Sequence, residues 1–143
     1  MNKFMELAIE TAQKANIDIP VGAVIVKNGE VISFGVNQKE QDNDITSHAE
    51  ILAIRGASKK LHNWRLDNCQ MYVTLEPCPM CCWAIIQSRI DTLYFGSYDK
   101  VYGGFFSKYD LRNFTNSNLK VYGGICENEC NELLEKFFSD IRK

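Results

Sequence analysis

Over the first fifteen residues, the apolar and small positions recur every three or four: Phe4, Leu7, Ala8, Thr11, Ala12 and Ala15. That spacing predicts an amphipathic helix ending near Asn16, and Pro20 punctuates the chain after it. The period then changes. Val21–Lys27 is dense in β-branched residues, Asn28-Gly29 is a pair that two-residue hairpin turns favour, and Glu30–Val36 reads as a second strand. Asn37–Thr46 is polar and reads as a loop. Ser47 is suited to cap a helix over His48–Lys59, to which Ile51, Leu52 and Ile54 bring apolar contacts. Met71–Leu75 reads as a buried strand, Pro79–Ser88 as a helix with proline tolerated in its first turn, and Thr92–Phe95 as another strand. The stretch 96–118 is rich in turn residues, and Lys120–Tyr122 is the last expected strand. Glu127–Ile141 reads as a closing helix, with acidic residues early and Arg142-Lys143 at its end to suit the helix dipole. A hairpin followed by strands alternating with helices implies an α/β sandwich, antiparallel at the start and parallel after it.

Composition narrows this picture. At 143 residues, 45% hydrophobic and 24% charged, with no repeat or linker, the chain is expected to form one domain over 1–143. No apolar run approaches the ~20 residues needed to span a bilayer. Met1–Glu10 carries charge where a signal peptide would be apolar, so a cytoplasmic protein without a membrane partner is expected. Sixteen basic against eighteen acidic residues leave a net charge of −2, which by itself advertises no nucleic-acid partner. Local charge differs. From Arg55 to Arg65 the only charged residues are the basic Arg55, Lys59, Lys60 and Arg65, either a solvated helix face or a contact for RNA. Lys108, Arg112 and Lys120, interleaved with Phe105, Phe106, Tyr109 and Phe114, form a second candidate surface whose aromatics could equally be core.

The six cysteines change the picture more. In a reducing compartment, closely spaced cysteines bind metal or do chemistry more often than they pair. Cys78-Pro79-Met80-Cys81 is such a pair, and alone it fits a structural zinc half-site or a redox couple equally well. Cys69, Cys82, Cys126 and Cys130 are expected to be packing residues, the last two on one face if their segment is helical. His48-Ala49-Glu50 opens one expected helix, and Pro77-Cys78-Pro79-Met80-Cys81 opens the next. One imidazole and two thiolates are good zinc ligands, and three protein ligands leave a fourth position open for water, as catalytic zinc sites do. Glu50 beside such a metal could carry protons between water and leaving group, though with Ser47 it also matches a helix capping box. Residues two apart on a helix diverge by ~200°, so His48 and Glu50 can converge only beyond the helix end. Taken together and in order, H-x-E followed by P-C-x-x-C is the signature of zinc nucleobase deaminases. A non-catalytic zinc subunit or a Cys78/Cys81 redox protein is the contrasting class, and neither needs Glu50.

The chain resembles the bacterial tRNA-specific adenosine deaminases. The resemblance runs through Pro20-Val21-Gly22-Ala23-Val24-Ile25-Val26, His48-Ala49-Glu50-Ile51, Tyr72-Val73-Thr74-Leu75-Glu76-Pro77-Cys78 and Ser88-Arg89-Ile90. It implies a three-layer α/β/α cytidine-deaminase-like fold with a five-stranded mixed sheet, working as a homodimer on the anticodon stem-loop of a tRNA. The implied reaction is zinc-dependent hydrolysis of the wobble adenosine, in a tRNA-arginine type anticodon, to inosine and ammonia. By position, His48, Cys78 and Cys81 would bind one Zn2+ per chain, and Glu50 would be the proton shuttle. Asn37 would hydrogen-bond the target nucleoside, Ala49 would offer the base a backbone contact, and Asp99 would lie near the neighbouring nucleotide. The chain departs from the family pattern at Gln38-Lys39, at Ile45 within Asp44-Ile45-Thr46, at Cys82-Trp83, and at Val101, which takes a position usually held by lysine. The alternative is a deaminase of a free nucleobase or nucleoside (guanine, cytosine or cytidine), which the acidic pI near 5.7 also suits.

Overall fold

A computed structural model describes residues 2–141. In chain order the elements are α1 (Lys3–Ala12), β1 (Gly22–Lys27), β2 (Glu30–Val36), α2 (Lys39–Asp42), α3 (Ala49–Leu61), β3 (Cys69–Leu75), α4 (Pro79–Gln87), β4 (Thr92–Ser97), β5 (Lys120–Tyr122) and α5 (Glu127–Ile141), with a 3₁₀ turn over Leu111–Phe114. The five strands form one sheet in the order β2-β1-β3-β4-β5. β1 runs antiparallel to both its neighbours, while β3, β4 and β5 are parallel to one another. The expected mixed sheet is therefore present.

The hairpin follows from its turn residues. Asn28 (φ 52°) and Gly29 (φ 76°) are both left-handed, the two-residue turn whose twist matches that of the flanking strands. Ile25 lies opposite Ser33 but Val26 lies opposite Val31, so Ile32 is the extra residue of a bulge. Side chains on β1 alternate between two cores. Ala23 and Ile25 pack with Ala49, Ala53 and Ala57 of α3, Ile85 of α4 and Phe95 of β4. Val24 and Val26 pack on the other face with Met5 and Ala8 of α1 and Cys130 of α5. Helices cover both faces, so β1 reads as an unbroken apolar run rather than an alternating one.

Gly35 of β2 determines where α3 sits. A Cβ there would run into the backbone of Ala49 and Ala53, so the start of α3 lies directly on the strand. The residues that follow and precede Ala49 are those that carry the chemistry.

Three expectations need correction. α1 stops at Ala12 rather than near Asn16; turns replace its last stretch, with Asn16 at φ 61°, although Ala15 stays buried. The polar segment after Asn37 contains the short helix α2, held by a residue far away in sequence. The buried carboxylate of Asp18 accepts from the Glu40 N–H at 2.7 Å and the Gln41 N–H at 3.2 Å, a distant cap that no local pattern reveals. Ser47 does not cap α3, as described below. Arg142-Lys143, expected to complement the dipole of α5, lie outside the described residues. Among the described residues no helix is long and apolar enough to cross a membrane.

Candidate metal centre

Two helix starts meet beyond the C-terminal end of the central strand β3. The N-cap of α3 is His48 (φ −78°, ψ 152°) and the N-cap of α4 is Cys78 (φ −73°, ψ 168°), both extended, and neither side chain caps its own helix. Pro79 follows at the first turn of α4, where its missing N–H costs nothing. The expected cap, Ser47, stays one residue outside the helix. It is buried, donates its N–H to Asp44 O at 3.1 Å and accepts from the Gln38 N–H at 2.9 Å. With the cap at His48, Glu50 stands at the second helical position, so the capping box with Ser47 does not form. The same shift removes the ~200° divergence, because His48 precedes the helix and its side chain is not bound to the helical rotation.

His48 Nδ1 lies 3.7 Å from Cys78 Sγ and 3.5 Å from Cys81 Sγ. All three ligand atoms fall within 4.8 Å of one another, the one such group of three among the described residues. Zinc–nitrogen and zinc–sulfur bonds of about 2.1 and 2.3 Å at tetrahedral angles put ligand atoms about 3.4–3.8 Å apart, so the donor set and its spacing fit zinc. The Cys81 thiol and the His48 ring beside Cys78 pull its thiol down to about 4 against the effect of burial. The same hydrogen bond, together with burial, pushes Cys81 strongly up, so Cys81 is the donor of the pair. A divalent cation would replace that proton and be held by two thiolates. Burial pushes the Glu50 carboxyl up to about 7. Cys82 is not part of the set. Its buried thiol donates to Pro77 O at 3.3 Å, and Trp83 beside it is exposed. Cys69 and Cys130 are buried packing residues as expected. Cys126 lies just ahead of α5 with φ 54°, and its carbonyl accepts from the Cys130 N–H at 3.1 Å.

A cavity of about 440 Å³ opens onto this centre. His48, Glu50, Cys78, Asn37, Ala49 and Asp99 all line it, while Cys81 is buried below. The structure thus gathers the expected site residues at one place. Asn37 is already engaged by backbone: its Nδ2 donates to Ile19 O at 3.1 Å and its Oδ1 accepts from the Lys39 N–H at 3.3 Å. As the first residue of α3, Ala49 has an N–H with no partner inside the helix. Asp99 Oδ1 accepts from the N–H groups of Val101 and Tyr102, both at 3.0 Å.

Sequence reasoning missed several walls of the cavity. Asp18 and Glu76 are buried acids that line it, and α5 contributes Phe137 and Phe138 from the far end of the chain. A lone acid between two isoleucines, and another following an apolar strand, were the available signals. Glu76 accepts from the N–H groups of Asp99 (3.1 Å), Phe105 (3.3 Å), Phe106 (2.8 Å) and Ser107 (2.9 Å), and from the Ser107 hydroxyl. The basic residues Arg55, Lys59, Lys60 and Arg65 are exposed, and none lines the cavity. Of the interleaved aromatics, Phe105 is core and Phe106, Tyr109 and Phe114 are exposed.

Residues 1–97 match the family described as the cytidine and deoxycytidylate deaminase zinc-binding region. A curated protein of Bacillus subtilis (strain 168) named tRNA-specific adenosine deaminase is 40% identical over 144 residues, covering 98% of this chain and 89% of its own length. A solved structure from work on A-to-I editing by tRNA:A34 deaminases at the wobble position of transfer RNA superposes with a TM-score of 0.88 at 40% identity. That match covers 92% of this chain and 99% of the other. The solved guanine deaminase of Bacillus subtilis gives a TM-score of 0.65 at 42% identity, over 68% of this chain and 66% of that one.

Proposed function

The chain belongs to the zinc-binding cytidine and deoxycytidylate deaminase family, and from that premise we propose that it deaminates the wobble adenosine of a tRNA anticodon to inosine. The observation that carries this reading is the convergence of His48, Cys78 and Cys81 beside the buried Glu50 at the floor of an open cavity. The likeness to proteins named for tRNA adenosine deamination supports the choice of substrate. One zinc ion per chain would be held by His48, Cys78 and Cys81, where it would supply a Lewis acid that acidifies water at neutral pH.

The chain's own groups do the rest. Glu50 takes a proton from the attacking water and delivers it to N1 of the adenine ring. It then carries the remaining proton of that water, from the hydroxyl now on C6, to the exocyclic nitrogen; the C6–N bond breaks, ammonia departs and the C6 oxygen becomes the inosine carbonyl. Ala49 presents its backbone N–H to the base, Asn37 meets the nucleoside, and Asp99 lies toward the neighbouring nucleotide. An anticodon nucleotide is unpaired, so splaying it into the cavity costs little. The substrate is a tRNA-arginine type anticodon stem-loop met in the cytoplasm. The enzyme works as a homodimer, for which Met80 and Trp83, exposed on α4, offer an apolar face.

A second reading is deamination of a free base or nucleoside, favoured by the likeness to guanine deaminase. One experiment separates the two. Zinc-loaded protein is incubated with an unmodified tRNA-arginine transcript whose anticodon begins with A, and separately with free adenosine, cytidine, cytosine and guanine. Inosine at the wobble position alone supports the proposal, and deamination of only the free compounds overturns it. Glu50→Gln should keep zinc and lose about 10²–10⁴-fold in kcat.

A further inference from the structure

We propose that Glu76 is a positioning residue that sets the Asp99–Tyr102 wall of the substrate cavity. The substrate readout below rests on the function proposed above; the backbone readout does not.

Glu76 follows β3, its N–H fixed to Ser97 O of β4 at 2.8 Å, so its backbone is tied to the centre of the sheet. From there its buried carboxylate reaches across to the segment 99–107, which has no strand or helix of its own. Every partner it finds there is a donor. Four backbone N–H groups, those of Asp99, Phe105, Phe106 and Ser107, and the Ser107 hydroxyl all point at its two oxygens. The segment closes around the carboxyl so tightly that a Cβ at Gly103 would collide with it.

The connection to the site runs through Asp99. Glu76 Oε1 holds the Asp99 N–H, and Asp99 Oδ1 in turn holds the N–H groups of Val101 and Tyr102. Asp99 and Tyr102 line the same cavity as Glu50 and Cys78. Tyr102 is 65% exposed at the mouth, with little packing of its own to hold it there. Without the carboxylate, four N–H groups lose their acceptor and the wall relaxes away from the bound nucleotide. Zinc ligation is untouched, because Glu76 bonds none of His48, Cys78 or Cys81. A fault in this wall should therefore weaken substrate binding more than the chemical step.

Glu76→Gln keeps the volume but replaces one acceptor oxygen by a donor amide among five donors. Ser107→Ala removes a single donor and leaves the carboxylate in place, so it folds even if the glutamine variant does not. The zinc-loaded full chain is assayed for kcat and KM on the anticodon stem-loop RNA, for zinc content, and for amide hydrogen exchange over residues 99–107. Expected for Glu76→Gln is a KM raised about tenfold, the equivalent of ~1.4 kcal/mol, with kcat within about threefold of wild type. Zinc content should be unchanged, and exchange should be faster at Asp99, Phe106 and Ser107. Ser107→Ala should move KM and exchange in the same direction by a smaller factor. A fall in kcat at unchanged KM, or unchanged exchange across 99–107, overturns the proposal. If the wild-type protein does not act on the RNA, the functional reading fails, and the exchange pattern alone decides the role of Glu76.

Discussion

Gly35→Ala is the substitution that best tests whether the seating of α3 on β2 builds the site. The added methyl would lie 2.7 Å from Ala53 N and 3.0 Å from the Ala49 carbonyl carbon, and would strike Ala49 O. All three are backbone atoms, so no rotamer change relieves the contact. Ordinary contact begins near 3.4 Å, so relieving the Ala53 N contact alone takes roughly 0.7 Å, and the closer Ala49 O requires helix and strand to separate by more than about 1 Å. The displaced backbone is the one flanked by His48 and Glu50. Misplacing reacting groups by about 1 Å can cost ~10²-fold in rate, and overpacking of this kind costs about 1–3 kcal/mol of stability. The expected outcome is a kcat on the tRNA transcript lower by about a hundredfold, weaker zinc retention, and a Tm lower by roughly 3–10 °C. The measurements are single-turnover deamination, zinc per chain after dialysis, and thermal unfolding. Gly29→Asn serves as the control, since no atom lies within 4 Å of a Cβ there and asparagine tolerates its left-handed backbone. Wild-type kcat and Tm in Gly35→Ala would refute the close seating of α3. A lowered Tm with unchanged kcat would refute the link between that seating and the site.

Removing zinc with a chelator should abolish deamination, and adding zinc back should restore it; Cys78→Ser should lose zinc under dialysis that the wild type withstands. Phe95→Ala empties a fully buried position that packs edge-on against Tyr98 at 5.0 Å, and should lower stability in urea by about 3–5 kcal/mol without changing zinc content. Asp110 is paired through both oxygens with Arg112, at 2.9 Å each, and that guanidinium holds its carboxyl below the usual carboxylate range. A depressed folded-state value means the pair stabilises above the ordinary carboxylate value and loses that effect as the pH falls through the lowered one. Asp110→Asn should therefore cost about 1 kcal/mol or less near pH 7, and the Tm gap to wild type should close below about pH 4. A gap that widens on acidification would show the opposite linkage.

Local chemistry in the sequence determined much of this protein. The Asn28-Gly29 turn, the apolar period of α1, and proline at the start of α4 specify their elements through backbone conformation and side-chain spacing alone, and each formed where expected to within a few residues. The metal ligands were legible for the same reason: His48, Cys78 and Cys81 belong to short motifs whose spacing carries the chemistry. The structure alone decided what depends on partners distant in the chain. α2 forms because Asp18 reaches its N-terminus from 22 residues away, and the helix cap lies at His48 rather than Ser47. That one-residue shift frees the imidazole from the helical rotation and lets it meet both sulfurs at 3.5–3.7 Å. Glu76 offered only an acid after an apolar strand; its role appears when segment 99–107 folds back and brings five donors to it. A carboxylate's worth is set by what surrounds it, and those surroundings exist only in the folded chain.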